Sequence, residues 1–264
     1  MKTTWCRLIR SVVLFASICA VLPAAHASVV TSNSLALSNI RITLSAGTLA
    51  IDPWTAEAHT FASNSLGQSN GPTDTTFGTA RTLASADAAV TWADGHGSAD
   101  TLALKALGSS NINLPGHDNE ADASGRGSLF TTFMVTGGTG AVDVAFAMDL
   151  LGTQTGTTDP IGYVDRNEIV ASLELDGDFV LFFDQIKSIG PNMSFDLPTA
   201  KTLAGTRSLV YGTSYFVFIE ADAETNAHNG IPEPASLALV LTALTGLAAQ
   251  AGLGRARRST TSVQ

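Results

Sequence analysis

The sequence predicts an all-β fold, a β-sandwich of the jelly-roll kind, for residues 28–223. Three observations carry that expectation. Apolar residues recur with a period of two, most clearly at Val142, Val144, Phe146, Met148 and Leu150, while Asp143, Ala145, Ala147 and Asp149 alternate with them. A strand gathers such alternate residues on one face, where a helix would scatter them around its circumference. Short runs of this kind are divided by Gly, Asn, Asp and Thr turns, with no fixed repeat that would mark a propeller or solenoid. Between its two ends the chain has no long stretch of helical period.

The first segment, residues 1–27, reads as a secretory signal. Lys2, Arg7 and Arg10 form a positive start, residues 11–22 are apolar, and Ala25 and Ala27 give the small-x-small pattern of a signal peptidase site. The cut is expected between Ala27 and Ser28. The apolar stretch is too short for a comfortable membrane span, which argues for removal. Ile18, just before Cys19, is too large for a lipoprotein processing site.

The strands follow in order. In residues 35–44, Ile40, Ile42 and Leu44 alternate with Arg41 and Thr43 as in a half-buried strand. Gly47 turns the chain into a strand over 48–51, and Asp52-Pro53 breaks it. Residues 55–89 hold few large apolar side chains and read as irregular surface or thin strands. Residues 85–93 suit a short helix or a strand holding Val90 and Trp92, closed by Gly95-His96-Gly97-Ser98. A strand is expected over 101–107, then a long, polar, acidic loop over 109–127. Residues 128–136 form a strand ended by Gly137-Gly138, and the alternating run from Val142 to Leu150 follows. Ile169, Ala171, Leu173 and Leu175 make the next strand, Asp176-Gly177 the hairpin turn, and Phe179, Leu181 and Phe183 the returning partner. The last strand, 215–223, points Tyr215, Val217 and Ile219 inward. Residues 224–231 read as a polar linker.

Composition narrows the chemistry. The only cysteines, Cys6 and Cys19, lie in the signal, so the domain beyond it holds itself together by its core and has no disulfide. Thiol catalysis and cysteine-ligated zinc are excluded there. Residues 28–231 carry 22 Asp and Glu against 8 Lys and Arg, a net charge of −14. Such a surface repels nucleic acid and anionic lipid and favours basic partners or divalent cations.

No nucleophile elbow, zinc-binding H-E-x-x-H, phosphate-cradling loop or dinucleotide fingerprint occurs. His59, His96, His117 and His228 share no i, i+2 or i, i+4 spacing and read as polar loop residues. Carboxylates are too abundant for any pair to single itself out as a glycosidase pair. No catalytic residue and no resident cofactor is therefore expected, and the chain does not read as an enzyme. Hard-oxygen clusters occur at 117–122, 159–168 and 174–178, none with EF-hand spacing. Among them the loop with Asp118, Asn119, Glu120 and Asp122 is the candidate for Ca²⁺. Trp54 and Trp92, each in an apolar neighbourhood, are expected in the core more than on a sugar-binding platform.

The C-terminal segment speaks to destination. Pro232-Glu233-Pro234 precede an uncharged apolar run over 235–253, followed by Arg255, Arg257 and Arg258 and a polar tail over 259–264. As a helix the run reaches roughly 28 Å, against a bilayer core of about 30 Å. The arginines would hold its end in the cytoplasm. In this order, over 232–258, the parts resemble the PEP-CTERM sorting signal of exported bacterial proteins, the proposed substrates of exosortase. The tail departs from the family, which usually ends on or just after the basic cluster. The resemblance implies a Gram-negative producer that handles exopolysaccharide, transient anchoring in the inner membrane and processing near Pro232-Glu233-Pro234 by an exosortase-type enzyme. It implies release to the cell surface or extracellular matrix, with exopolysaccharide as partner, as a structural or adhesive component of a biofilm. A carbohydrate-binding module and a secreted hydrolase remain the other readings of the core.

Overall fold

The computed structural model describes residues 28–77, 82–116 and 119–230. The sorting residues Pro232, Glu233, Pro234, Arg255, Arg257 and Arg258, the expected span at 235–253, and Ala25 and Ala27 lie outside the described residues, as does Asp118. Every regular element among the described residues is a strand: β1 (Ser28–Leu44), β2 (Thr48–Ile51), β3 (Thr55–Asn64), β4 (Ser69–Asn70), β5 (Thr73–Phe77), β6 (Leu83–Val90), β7 (Ala93–Asp100), β8 (Lys105–Pro115), β9 (Glu120–Thr136), β10 (Ala141–Thr158), β11 (Gly162–Leu175), β12 (Asp178–Ile189), β13 (Ser194–Val210) and β14 (Ser214–Asn229).

The strands pair antiparallel into two sheets. The smaller has the order β13-β10-β1-β8-β7-β6; the larger runs β12-β11-β14-β9-β3-β4, with β2 added to β9 and β5 to β3. Three pairs are nested about the β11–β12 hairpin: β11 with β12, β10 with β13, and β9 with β14; β8 pairs with β1, and both precede them in the chain. Successive pairs alternate between the sheets.

The period-two patterns become the inner faces. Val142, Val144, Phe146, Met148 and Leu150 are buried along β10, opposite Ile169, Ala171 and Leu173 of β11 and Val217 and Ile219 of β14. At the hairpin, Asp176 (φ 51°) and Gly177 (φ 89°) both take the left-handed conformation of the tight turn expected there. Trp54 packs against the main core and Trp92 against a second, smaller cluster around Val29, Ile112, Leu114, Val164 and Ile189. Phe179, at the start of the returning strand, is 52% exposed. The register shift between Leu173 and Glu174 takes it out of the alternation that buries Leu181 and Phe183.

Several expectations are corrected. The long acidic loop over 109–127 does not exist: its first part completes β8 and its last part opens β9. Gly95-His96-Gly97-Ser98 does not end a strand but forms the middle of β7, and residues 101–104 form the turn that precedes β8. The segment 224–231 is not a linker up to Asn229, because β14 continues through it, paired with β9 and β11 on both sides. The shared cause is a close approach of the two sheets. A Cβ at Gly95, Gly97, Gly108, Gly125 or Gly127 would overlap a backbone carbonyl oxygen of the facing sheet: Ser124, Arg126, Gly125, His96 and Ser98 respectively. Inner positions there are Gly, Ala and Ser, so these stretches lack the large apolar residues by which a buried face is ordinarily read.

Candidate functional site on the outer face of the larger sheet

The larger sheet turns outward most of the titratable side chains that lie close together. On β14 the alternation Glu220-Ala221-Asp222-Ala223-Glu224 buries both alanines and sends all three carboxylates to one face. Strand register sets their neighbours. Glu220 lies opposite Ser128 of β9, which lies opposite Glu57 of β3; Asp222 lies opposite Arg126, which lies opposite His59. On the other side, Glu224 faces Glu168 of β11, and Glu174 lies one step along from Ser172, the partner of Glu220.

Two arginines sit among these acids. Arg126 Nη1 is 3.5 Å from Glu220 Oε2. Arg166 bridges Glu168, which its Nη2 contacts closely, and Glu224, at 3.5 Å from Nη1. The pairs do not neutralise the face. Burial pushes the Glu220 carboxyl up to about 7, against the pull of Arg126, with Asp222, Glu174 and Glu57 adding repulsion. Burial likewise raises Asp222, opposed by Arg126, and raises Glu168, opposed by Arg166. Near neutral pH Glu220 therefore exchanges a proton, and the face changes its charge there.

Aromatic rings border the acids. Phe130 and Phe216 are 6.1 Å apart at the β9–β14 border, and Phe179 and Phe182 are 4.9 Å apart on β12. Phe179, Phe182 and Phe216 are each about half exposed or somewhat less, with Phe77 of β5 exposed beyond them. At the opposite end of the face, His228 stacks on Tyr163 at 4.9 Å, and its Nδ1 lies 2.5 Å from Asp165 Oδ2. Carboxyl groups beside exposed rings can hold a hydroxyl-bearing ligand, the carboxylates accepting its O–H groups and the rings covering its apolar face.

The three described calcium candidates, Asn119, Glu120 and Asp122, are not brought together in a loop. Asn119 Nδ2 donates to Pro115 O at 2.6 Å. Glu120 and Asp122 are strand residues of β9, and Asp122 is already engaged by Asn226 Nδ2 and, at 3.2 Å, by Ser63 Oγ. Among the described residues no three His, Asp or Glu side chains are placed to hold a metal. His59 and His228 are not loop residues but outward positions of β3 and β14, and His96 sits in β7 with Nδ1 2.7 Å from Asp87. Sequence reasoning did not single out Glu220, Asp222, Arg126 or Glu57. The available signal was the five-residue alternation of β14; the partners from β3 and β9 depend on register, which no local pattern reveals.

Of the signal-cleavage residues, Ser28 is described. It is the first residue of β1 and pairs with Pro115 of β8. Comparison with family models, curated proteins and solved structures finds no match to this chain.

Proposed function

We propose that this chain is an exported cell-surface or extracellular-matrix protein, carried on a transient membrane anchor and sorted through the PEP-CTERM-like segment at 232–258. In this role the domain is a structural or adhesive component of an exopolysaccharide matrix, and Pro232, Glu233 and Pro234 are the substrate of an exosortase-type enzyme. The observation that carries the reading is the fit between the fold and the two cuts. Among the described residues, strand pairing runs from Ser28, the residue after the expected signal site, to Asn229, three residues before Pro232. Cuts at both places leave every described strand intact. The nested strand pairs, alternating between two sheets, support the jelly-roll form of that sandwich. The mass of the protein recovered from the medium tests the reading: a chain beginning at Ser28 and lacking 235–253 is expected, and one retaining 235–253 is a plain anchored protein.

A second reading, a carbohydrate-binding module, is favoured by one specific feature, the carboxylate face bordered by Phe179, Phe182 and Phe216. Retention of the purified protein on the producer's own polysaccharide separates a binding module from a passive filler.

A further inference from the structure

Both ends of the domain meet at one corner, the turn between β10 and β11. Asp159 is its centre. Asp159 Oδ1 accepts the backbone N–H groups of Ile161 at 3.1 Å and Gly162 at 3.0 Å, which fixes the orientation of the carboxylate. Its other oxygen, Oδ2, accepts the backbone N–H of Ser28, and Asp159 N donates back to Ser28 O at 3.3 Å. The last described residues dock beside it: Gly230 N donates to Ile161 O at 2.9 Å, and Asn229 Nδ2 donates to Gly116 O at 3.0 Å. Gly162 leaves no room for a side chain, since a Cβ there would run into Val29 and meet Asn229 Oδ1 at 3.0 Å.

We infer that Asp159 is the receptor for the positively charged amino terminus created when the first 27 residues are removed. The inference rests on the signal-peptide reading. While residue 27 is attached, the nitrogen of Ser28 is a neutral amide with one hydrogen to give. Hydrolysis of the 27–28 peptide bond adds water across it, leaving a carboxylate on Ala27 and an ammonium on Ser28. That ammonium appears at the atom the Asp159 carboxylate already faces. The amide hydrogen bond becomes an ion pair with charge-assisted hydrogen bonds, which are roughly twice as strong as neutral ones. Ser28 has little freedom to withdraw, because Ser28 and Val29 are paired with Pro115 and Leu114 of β8, and Val29 with Thr158 of β10. Pro115, the partner of Ser28 on β8, and Asn229, paired with Gly162 at the end of β14, do not titrate. The next titratable groups on β9 and β14 are Glu120 and His228, opposite one another. Asp159 is thus the charge that governs the new terminus. Signal removal then tightens the same corner from which the C-terminal sorting segment departs.

A paired amine has a raised pKa in the folded state. Its contribution is complete below the unfolded value, about 7.7–8.0 for an α-amine, and is lost as pH rises through the folded value. The test uses the protein exported through its own leader, its amino terminus identified by mass and its α-amine titrated by NMR after isotopic methylation, a label that preserves the charge. The expected result is a pKa above the ordinary range in the native sequence and a return to that range in Asp159→Asn. The thermal midpoint at pH 7 should fall by about 1–3 °C in that variant, the scale of one exposed ion pair in a domain of this size. Should Asp159→Asn fail to fold, a glycine inserted between Ala27 and Ser28 moves the ammonium one residue away while leaving the Asp159 turn intact, and the pKa should again be ordinary. An ordinary α-amine pKa on a chain that begins at Ser28 overturns the pairing. A terminus at another residue overturns the signal reading instead.

Discussion

Asn33 and Ser110 meet midway between the sheets, where Asn33 Oδ1 accepts both the backbone N–H of Ser110, at 3.2 Å, and its hydroxyl, at 2.5 Å. The same asparagine donates through Nδ2 to Glu168 O at 2.8 Å and Glu224 O at 2.7 Å, so one side chain ties β1 and β8 to β11 and β14. Ser110 Oγ passes the network on to Thr225 Oγ1 at 2.7 Å. Asn33→Ala strands buried donors and acceptors on three other strands, each costing about 1–3 kcal/mol when left without a partner. Denaturant unfolding should show a loss of about 2–4 kcal/mol. A loss below about 1 kcal/mol would mean that water replaces the asparagine.

The close approach of the sheets predicts an unusual sensitivity to single methyl groups. Gly125→Ala places its Cβ against the carbonyl oxygens of His96 and Ser109, both backbone atoms of the facing sheet. Neither can swing aside as a side chain does, so the sheets must part. A destabilisation of about 3 kcal/mol or more is expected, at or beyond the upper end for overpacking. Gly190→Ala is the matched control, with nothing within 4 Å of the added atom and no left-handed backbone. Its effect should stay within about 0.5 kcal/mol.

That crowding also explains what was legible beforehand. Where the inner face is Phe, Met, Ile and Leu, as along β10, β11 and β14, alternation alone located the strand and its buried side. Where the sheets nearly touch, as along β7, the front of β9 and the front of β8, the inner positions are Gly, Ala and Ser. The sequence there has the composition of a loop, because the facing backbone occupies the space a larger side chain would need. The outer face divides in the same way. Glu220, Asp222 and Glu224 are three alternate positions of one strand and can be read as one face. Placing Glu57 and Arg126 beside them takes the pairing of β3 with β9 and of β9 with β14, joining residues from distant parts of the chain.

If the aromatic border of the larger sheet holds matrix glycan, removing rings should weaken retention without disturbing the fold. Phe182 is 52% and Phe216 42% exposed, so Phe182→Ser and Phe216→Ser cost little core packing. An aromatic contact contributes about 0.5–1.5 kcal/mol beyond its buried area. Each substitution should therefore weaken binding to the producer's polysaccharide by about 2–10-fold in a co-sedimentation assay. Unchanged retention in both would move the matrix contact off this face.

Glu220 gives the larger sheet a pH dependence of definite sign. Its carboxyl titrates near 7 in the folded protein, because burial outweighs the nearby arginine, against about 4.5 for the free side chain. The folded state thus holds this proton more tightly than the unfolded chain does. Stability from this group is present below pH 4.5 and is lost as pH rises from there through 7. Asp222 and Glu168, also raised by burial, act in the same direction. Glu220→Gln fixes the neutral form with nearly the same shape. It should leave the thermal midpoint at pH 5 almost unchanged and raise stability at pH 8 by about 1–3 kcal/mol, flattening the profile between those values. Thermal scans of both proteins at half-unit pH intervals measure the difference. A variant less stable than the native protein at pH 8 would show that the ionised Glu220–Arg126 pair contributes more than burial takes away.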